Sequence, residues 1–156
     1  MIEVRIKTGL IKAARIKAAE MGLLKNSIAQ GQGSPSGFIG EFLAAQHLGA
    51  EVRNTYDYDL VMPDGTRVDV KTKRTNYKPK PEYSCSIAAF NTRQKCDMYF
   101  FVRVKNDLST AWLLGGYDKK KYFEDATFHR KGDFDPANNF TFRADCYNLP
   151  ISALNP

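Results

Sequence analysis

Helical periodicity dominates the first third of the chain. Apolar residues recur at three- and four-residue steps over residues 5–28, the spacing that places them on one face of a helix. The segment Gly31-Gln32-Gly33 interrupts this pattern. A second helix is predicted from Pro35, with Ser34 as its N-cap and Gly49 at its C-terminal end. The pattern therefore predicts two consecutive helices.

From residue 50 the period changes to that of strands. Short strands are predicted at 52–55 and 60–62, the turn Pro63-Asp64-Gly65 follows, and residues 66–74 then alternate strictly. Two strands joined by so tight a turn predict an antiparallel hairpin. Further strands are predicted at 83–87, 98–104, 111–114 and, at an edge, 140–147; a short helix at 119–125; and loops at 74–82 and 126–139.

Helices come first and a sheet follows, which predicts an α/β or α+β fold with a central mixed β-sheet flanked by helices. The length of 156 residues indicates a single domain over residues 1–156. Within it we expect a basic N-terminal helix over 1–30, a core over 34–105, and a C-terminal extension of the sheet over 106–156.

The net charge of the chain indicates a class of binding partner. Lys and Arg number 23 against 17 Asp and Glu, a net charge of +6, and the excess lies in the first two-thirds of the chain. A localised basic excess indicates a polyanionic partner, with nucleic acid as the first candidate and an anionic membrane surface as the second. A soluble protein that is merely basic is the remaining interpretation.

Several classes of protein are disfavoured by residues that are scarce. The three cysteines have no CxxC spacing, and the two histidines are too few for a zinc hydrolase. No apolar segment is long enough for a transmembrane helix, and the N-terminus lacks the apolar core of a secretory signal. We therefore expect a cytoplasmic protein with reduced thiols and no membrane anchor.

The strand at 66–74 carries unusual charges. Asp69, Lys71 and Lys73 share one of its faces, and a half-exposed strand would also have this pattern. However, Asp and Lys are poor strand formers, and the preceding strand starts with Asp59. In a hairpin turning at 63–65, Asp59 and Asp69 come close, and two such carboxylates repel unless a cation lies between them. Oxygen ligands of this kind suit magnesium or manganese.

The sequence from Asp59 to Asp69-Val70-Lys71 resembles the PD-(D/E)xK nuclease superfamily. Glu41, beside the apolar face of the second helix, also fits, because that superfamily often places a glutamate there. The resemblance covers residues 35–74 and implies a restriction-endonuclease-like fold. It implies Asp59, Asp69, the Val70 carbonyl and Glu41 as ligands of Mg²⁺ or Mn²⁺, with Lys71 as the catalytic lysine.

Two departures from the family pattern leave alternatives open. Tyr58 rather than proline precedes Asp59, and Asp57, with the same strand parity, competes for its role. The superfamily usually places a helix between the motif strand and the next core strand, whereas residues 75–96 contain two prolines and only 88–95 could form a brief helix.

Basic residues continue directly after the motif. Residues 71–80 contain no acid, and the predicted phosphate contacts in or near the following loop are Lys73, Arg74, Lys78 and Lys80. Tyr77 among them could stack on an unpaired base. A flexible, solvated run of charge is the alternative interpretation of this loop.

These observations predict a Mg²⁺-dependent endo- or exonuclease that hydrolyses phosphodiester bonds of DNA, and the resemblance implies that it leaves a 5′-phosphate. The alternative is a non-catalytic DNA-binding protein with the same fold, and a third is a protein bound to anionic membranes through its first helix. One such site cuts one strand, so cleavage of a duplex would require a homodimer, for which the N-terminal helix offers an interface.

Overall fold

The computed structural model describes residues 1–21, 34–136 and 139–155. It has an α+β fold built on a mixed six-stranded sheet. In spatial order, the strands of this sheet are β1 (Ile2–Arg5), β7 (Thr110–Asp118), β6 (Met98–Lys105), β4 (Arg67–Thr75), β3 (Leu60–Val61) and β2 (Glu51–Val52). Strands β4 and β6 are parallel, and the other neighbours are antiparallel.

The remaining elements cover the two faces of this sheet. The described helices are α1 (Thr8–Met21), α2 (Pro35–Leu48) and α3 (Lys119–Asp125), with short 3₁₀ turns at Ala89–Asn91 and Ile151–Ala153. A second sheet has the order β5 (Ser84–Ala88), β11 (Cys146–Pro150) and β8 (Thr127–His129). A separate pair is formed by β9 (Phe134–Asp135) and β10 (Phe140–Thr141).

Alternation along the central strands divides the core into two parts. Phe100, Val102 and Val104 of β6 belong to the cluster that packs under α1 and α2. Tyr99 and Phe101 point the other way, into the cluster formed with α3 and the second sheet. The six-stranded sheet is thus the middle of three layers, and β4 and β6 are buried between the outer two.

A close approach of helix and sheet fixes α2 against β4. A Cβ atom on Gly40 would lie 2.0 Å from Thr72 Oγ1, so only glycine fits there without a shift of the helix or the strand. Gly49 ends α2 in the left-handed conformation at φ 62° and donates its N–H to Ala45 O. The predicted ends of α2 are therefore confirmed, although Ser34 makes no side-chain capping bond.

The N-terminal prediction is only partly confirmed. The helix begins at Thr8 rather than at residue 5, because residues 2–5 pair with β7 as the edge strand β1. The expected continuation of this helix to residue 28, and the break at residues 31–33, lie outside the described residues. Between the motif strand and β6, the brief helix expected over 88–95 is one 3₁₀ turn.

The C-terminal part departs further from the expected extension of the sheet. Only β7 joins the main sheet, and it runs on through Gly115 and Gly116 instead of ending there. A Cβ on Gly115 would lie 2.2 Å from Asn155 O, so the glycine permits a backbone contact. Residues 126–139 contain β8 and β9, and the expected edge strand at 140–147 is replaced by β10 and the central strand β11.

No helix among the described residues is long and apolar enough to cross a membrane.

Candidate functional site

One edge of β4 loses its strand partner where the candidate residues begin. Within the described residues, β3 pairs with β4 only at Arg67 and Val68. Beyond this pairing, the Asp59 N–H donates to Val68 O at 2.9 Å, and Asp59 Oδ2 accepts the Val70 N–H at 2.7 Å. The side chain of Asp59 therefore takes the place of the next strand residue, which fixes its carboxylate at the edge of β4.

Asp69 and Lys71 form an ion pair beside this edge. Asp69 is only 4% exposed, and its Oδ2 lies 2.6 Å from Lys71 Nζ. No hydrogen bond of acceptable geometry reaches this Oδ2, so the close ammonium compensates the buried charge mainly through electrostatics. Lys71 Nζ also donates to Gln94 Oε1 at 3.2 Å. The alternative interpretation, a half-exposed strand, therefore does not hold at Asp69, where the charged face of the strand is buried.

Glu41 enters from the helical layer. It follows Gly40, whose contact with Thr72 brings this turn of α2 against β4. The Glu41 side chain lines a cleft of about 720 Å³ between α1 and α2, together with Lys17 and Phe42. This cleft offers a route from solvent to one of the three carboxylates.

The three carboxylates interact as a set, with each of the three pairs close enough to affect proton binding. Burial raises the pKa of Glu41 to about 7, with a further contribution from Asp69 and opposition from Lys17. Burial, and then the charges of Asp69 and Glu41, raise the pKa of Asp59 well above its usual range, although the Val70 N–H and Lys71 act against this. The negative charges of these three carboxylates are therefore not fully balanced by the nearby lysines.

The donor chemistry of this set fits a hard divalent cation. Glu41, Asp59 and Asp69 supply carboxylate oxygens, and the Val70 carbonyl points to the same open edge because N–H and C=O of one strand residue share a side. Across residues 1–21, 34–136 and 139–155, no group of three or more His, Cys, Asp or Glu is already gathered for metal binding. Because Lys71 lies against Asp69, cation binding would have to displace its ammonium from Oδ2.

The structure separates Asp57 from Asp59. Asp57 Oδ1 accepts the Lys95 N–H at 3.0 Å and so belongs to the loop before β6. Asp57 lies within a turn over residues 55–58, in which Thr55 Oγ1 donates to Tyr58 O at 2.8 Å and accepts the Tyr58 N–H at 3.0 Å, whereas Asp59 follows this turn. Of the two candidates, Asp59 is the one brought to Asp69.

The four predicted phosphate contacts do not form one patch. Lys73 shares the face of Asp69 and Lys71, whereas Arg74 donates to Asn106 O at 2.8 Å from the opposite face. Lys78 lies 3.4 Å from Glu3 Oε2 on β1, three strands away from β4. Lys80 is exposed in the same loop as Lys78.

Two residues near β4 were missed by the sequence interpretation. Gln94 joins Lys71 to the loop at 55–58, since its side-chain oxygen accepts from Lys71 Nζ and its Nε2 donates to Tyr56 O at 3.2 Å. Lys119 Nζ donates to the backbone oxygen of Gln94. Nothing in the sequence marks this glutamine. Arg103 is 6% exposed, and a single charge inside the apolar segment 98–104 was a signal that could have drawn attention to it.

Comparison of the sequence with protein-family models gives no matching family, and comparison with curated proteins gives no similar protein.

Proposed function

We propose that this chain is a divalent-metal-dependent nuclease that hydrolyses phosphodiester bonds of DNA. One observation carries the proposal: Glu41 of α2, Asp59 just before β3 and Asp69 of β4 act on one another's charge, and Asp69 lies 2.6 Å from Lys71 of the same strand. Structural ion pairs match opposite charges, whereas three acids with two nearby lysines, Lys71 and Lys17, leave an excess of negative charge that a cation would neutralise.

Each side chain has a role in this proposal. Asp59, Asp69, Glu41 and the Val70 carbonyl would hold Mg²⁺ or Mn²⁺, which supplies Lewis-acid polarisation of the phosphodiester when bound. Asp59 is held for this by the Val70 N–H, and Asp69 by its position on β4, which pairs with β6. Because the pKa values of Asp59 and Glu41 are raised, cation binding near neutral pH would release protons.

Lys71 is proposed to act on the reacting phosphate. Once its ammonium leaves Asp69 Oδ2, it can stabilise negative charge on a non-bridging phosphate oxygen and orient the attacking water. The water oxygen forms a bond to phosphorus and the bond from phosphorus to the 3′-oxygen breaks. The attacking water gives up a proton to solvent, the 3′-oxygen takes up a proton from solvent, and the 5′-phosphate remains on the other product. Gln94 keeps the lysine near this position.

The resemblance to the PD-(D/E)xK superfamily agrees with these roles and suggests a restriction-endonuclease-like arrangement. The basic composition supports a polyanionic substrate. Cleavage of both strands of a duplex would require two copies of the chain, since one site acts on one strand.

The test is an assay of purified protein on supercoiled, linear, branched and single-stranded DNA, with Mg²⁺, Mn²⁺ or EDTA. We expect cleavage with either metal, none with EDTA, and none with Asp69→Asn. Asp97→Asn is the matched control, because it makes the same change in an aspartate that pairs with Arg67 at 2.8 Å. Binding of DNA without metal-dependent cleavage would favour the non-catalytic alternative, and equal loss in both variants would indicate a general effect of lost charge.

A further inference from the structure

A second charged cluster lies further along the same face of β4. Lys73 and Arg103 are direct partners in the parallel register of β4 and β6, so their side chains leave the sheet side by side. Lys73 Nζ lies 5.0 Å from the centre of the Phe140 ring. Arg103 is 6% exposed and donates from Nη2 to Ser84 O at 2.7 Å. Arg143 is close enough to act on the charge of Lys73.

Among the described residues, no carboxylate forms an ion pair with Lys73 or Arg103. In the described ranges, the ion pairs to carboxylates are formed by Arg53, Arg67, Lys71, Lys78 and Lys105. Desolvation lowers the pKa of Arg103. Lys73 is exposed as a residue, but its ammonium is partly shielded from water. This desolvation, followed by the positive charge of Arg103, lowers the pKa of Lys73 to about 8.

The neighbouring thiols do not supply the missing negative charge. Cys85 and Cys146 are the nearby groups that would favour charged Lys73 if they were ionised. Burial raises the pKa of Cys85 to about 12 and also raises that of Cys146, so both are neutral thiols near pH 7. Like charges directly opposite each other on neighbouring strands are destabilising, and a buried cation without a counter-charge is more so.

We propose that Lys73 and Arg103, with Arg143 at the rim, bind a backbone phosphate of the nucleic-acid strand that reaches Lys71. Arginine and lysine are the side chains that recognise phosphate oxygens through charge-assisted hydrogen bonds. Lys73 follows Lys71 by two strand residues, about 7 Å along the same face. The phosphate held here is therefore not the reacting one but a neighbour on the same strand. This inference rests on the proposed nuclease function and adds a position for the substrate.

The experiment measures binding of single-stranded and duplex DNA by fluorescence anisotropy over a range of NaCl, in EDTA so that nothing is cut. Lys73→Gln should weaken binding roughly fivefold and flatten the dependence of log affinity on log salt by about one unit. Arg143→Gln should act in the same direction. Lys120→Gln is the matched control, since Lys120 is exposed on α3. Because Arg103→Met could fail to fold, the test does not depend on it.

Inorganic phosphate distinguishes a strand phosphate from a free anion. If Lys73→Gln abolishes binding of inorganic phosphate while the affinity for DNA stays unchanged, the site takes a free anion and the proposal is overturned. Equal effects of Lys73→Gln and Lys120→Gln on the salt dependence would also overturn it, since they indicate only the general surface potential. Metal-dependent cleavage by the same variants is scored separately. If Lys73→Gln cleaves DNA and binds it as tightly as the wild type, the phosphate site is rejected and the nuclease function stands. If Lys73→Gln and Arg143→Gln weaken DNA binding but the wild type does not cleave DNA, the phosphate site stands and the nuclease function is rejected.

Discussion

The charged residues along β4 have two kinds of surroundings: a neighbour of opposite charge at the start of the strand, and mainly neighbours of like charge further along. At the start of the strand, Arg67 binds Asp97 through two side-chain contacts of 2.8 and 2.9 Å, and the hydrogen bonds from Arg67 lower the pKa of Asp97 to about 2. Further along, acids gather around Asp69 and cations around Lys73, and there the pKa values of Asp59 and Glu41 rise while that of Lys73 falls.

The contrast separates charges that form a structural ion pair from charges that we propose to bind a ligand. In a paired region each partner stabilises the charged form of the other. In the two like-charged regions folding works against the charged forms, and a bound ion of opposite sign would relieve this. One strand therefore carries a structural ion pair, a candidate cation site and a candidate phosphate site in succession.

The sharpest contrast is between two aspartates of the same loop. Asp59→Asn should reduce metal-dependent cleavage by about 10³-fold or more, because it removes a charged ligand worth several kcal/mol in the transition state. Asp57→Asn should change cleavage by less than about threefold, since Asp57 bonds the Lys95 N–H away from β4. Single-turnover rates of both variants check this. A larger loss in Asp57→Asn would reverse the assignment.

Lys71 should affect chemistry rather than binding. Lys71→Ala is expected to lower kcat by about 10²-fold, while the affinities for DNA and metal change little, because the charge acts mainly on the transition state. Lys120→Ala is the control for the loss of one positive charge. If Lys71→Ala weakens DNA binding and leaves single-turnover cleavage at saturating enzyme intact, Lys71 is only a phosphate contact.

The contact that brings Glu41 to β4 can be broken without touching a charge. Gly40→Ala should lower the free energy of unfolding by about 2–3 kcal/mol, because its Cβ would lie 2.0 Å from Thr72 Oγ1. Gly37→Ala on the same helix has nothing within 4 Å and should be neutral or stabilising by up to about 1 kcal/mol. Chemical denaturation compares them. If the double variant Gly40→Ala with Thr72→Ala regains no stability, the contact is not the cause.

The smallest expected effect concerns repulsion among the acids. Folding raises the pKa of Glu41 from 4.5 to about 7, so the native state holds a proton that the unfolded state loses between these pH values. Stability in EDTA should therefore fall as pH rises from 5 to 8, and Glu41→Gln should remove about 1–2 kcal/mol of this fall. The exposed Glu20→Gln should follow the wild-type curve. If the stability of Glu41→Gln also follows the wild-type curve, the ionisation of Glu41 does not destabilise the folded state.

Local patterns in the sequence predicted much of the fold. The ends of α2 follow from Pro35 and Gly49, and the hairpin of β3 and β4 follows from its turn and alternation. The sequence could not indicate β1, because its pairing of Ile2 with Leu113 joins distant segments and the local period looks helical. Gly115 predicted the end of a strand but instead permits contact with Asn155.

The candidate site was predictable in its residues but not in its geometry. Alternation placed Asp69 and Lys71 on one face, yet two aspartates of equal parity could not be distinguished before the turn at Thr55 was known. Nor could alternation reveal that Arg103 lies opposite Lys73, because the register of parallel strands is set by tertiary packing. Which charges on β4 have a partner of opposite sign can be seen only in the three-dimensional structure.

The most direct test of the central claim is calorimetric titration of Mn²⁺ or Mg²⁺ into the protein without nucleic acid, at two pH values. We predict saturable binding accompanied by proton release, strongly weakened in Asp69→Asn and unchanged in Asp97→Asn. Absence of saturable binding in the wild type, or equal binding by Asp69→Asn, would contradict the assignment of the acidic cluster on β4 as a cation site.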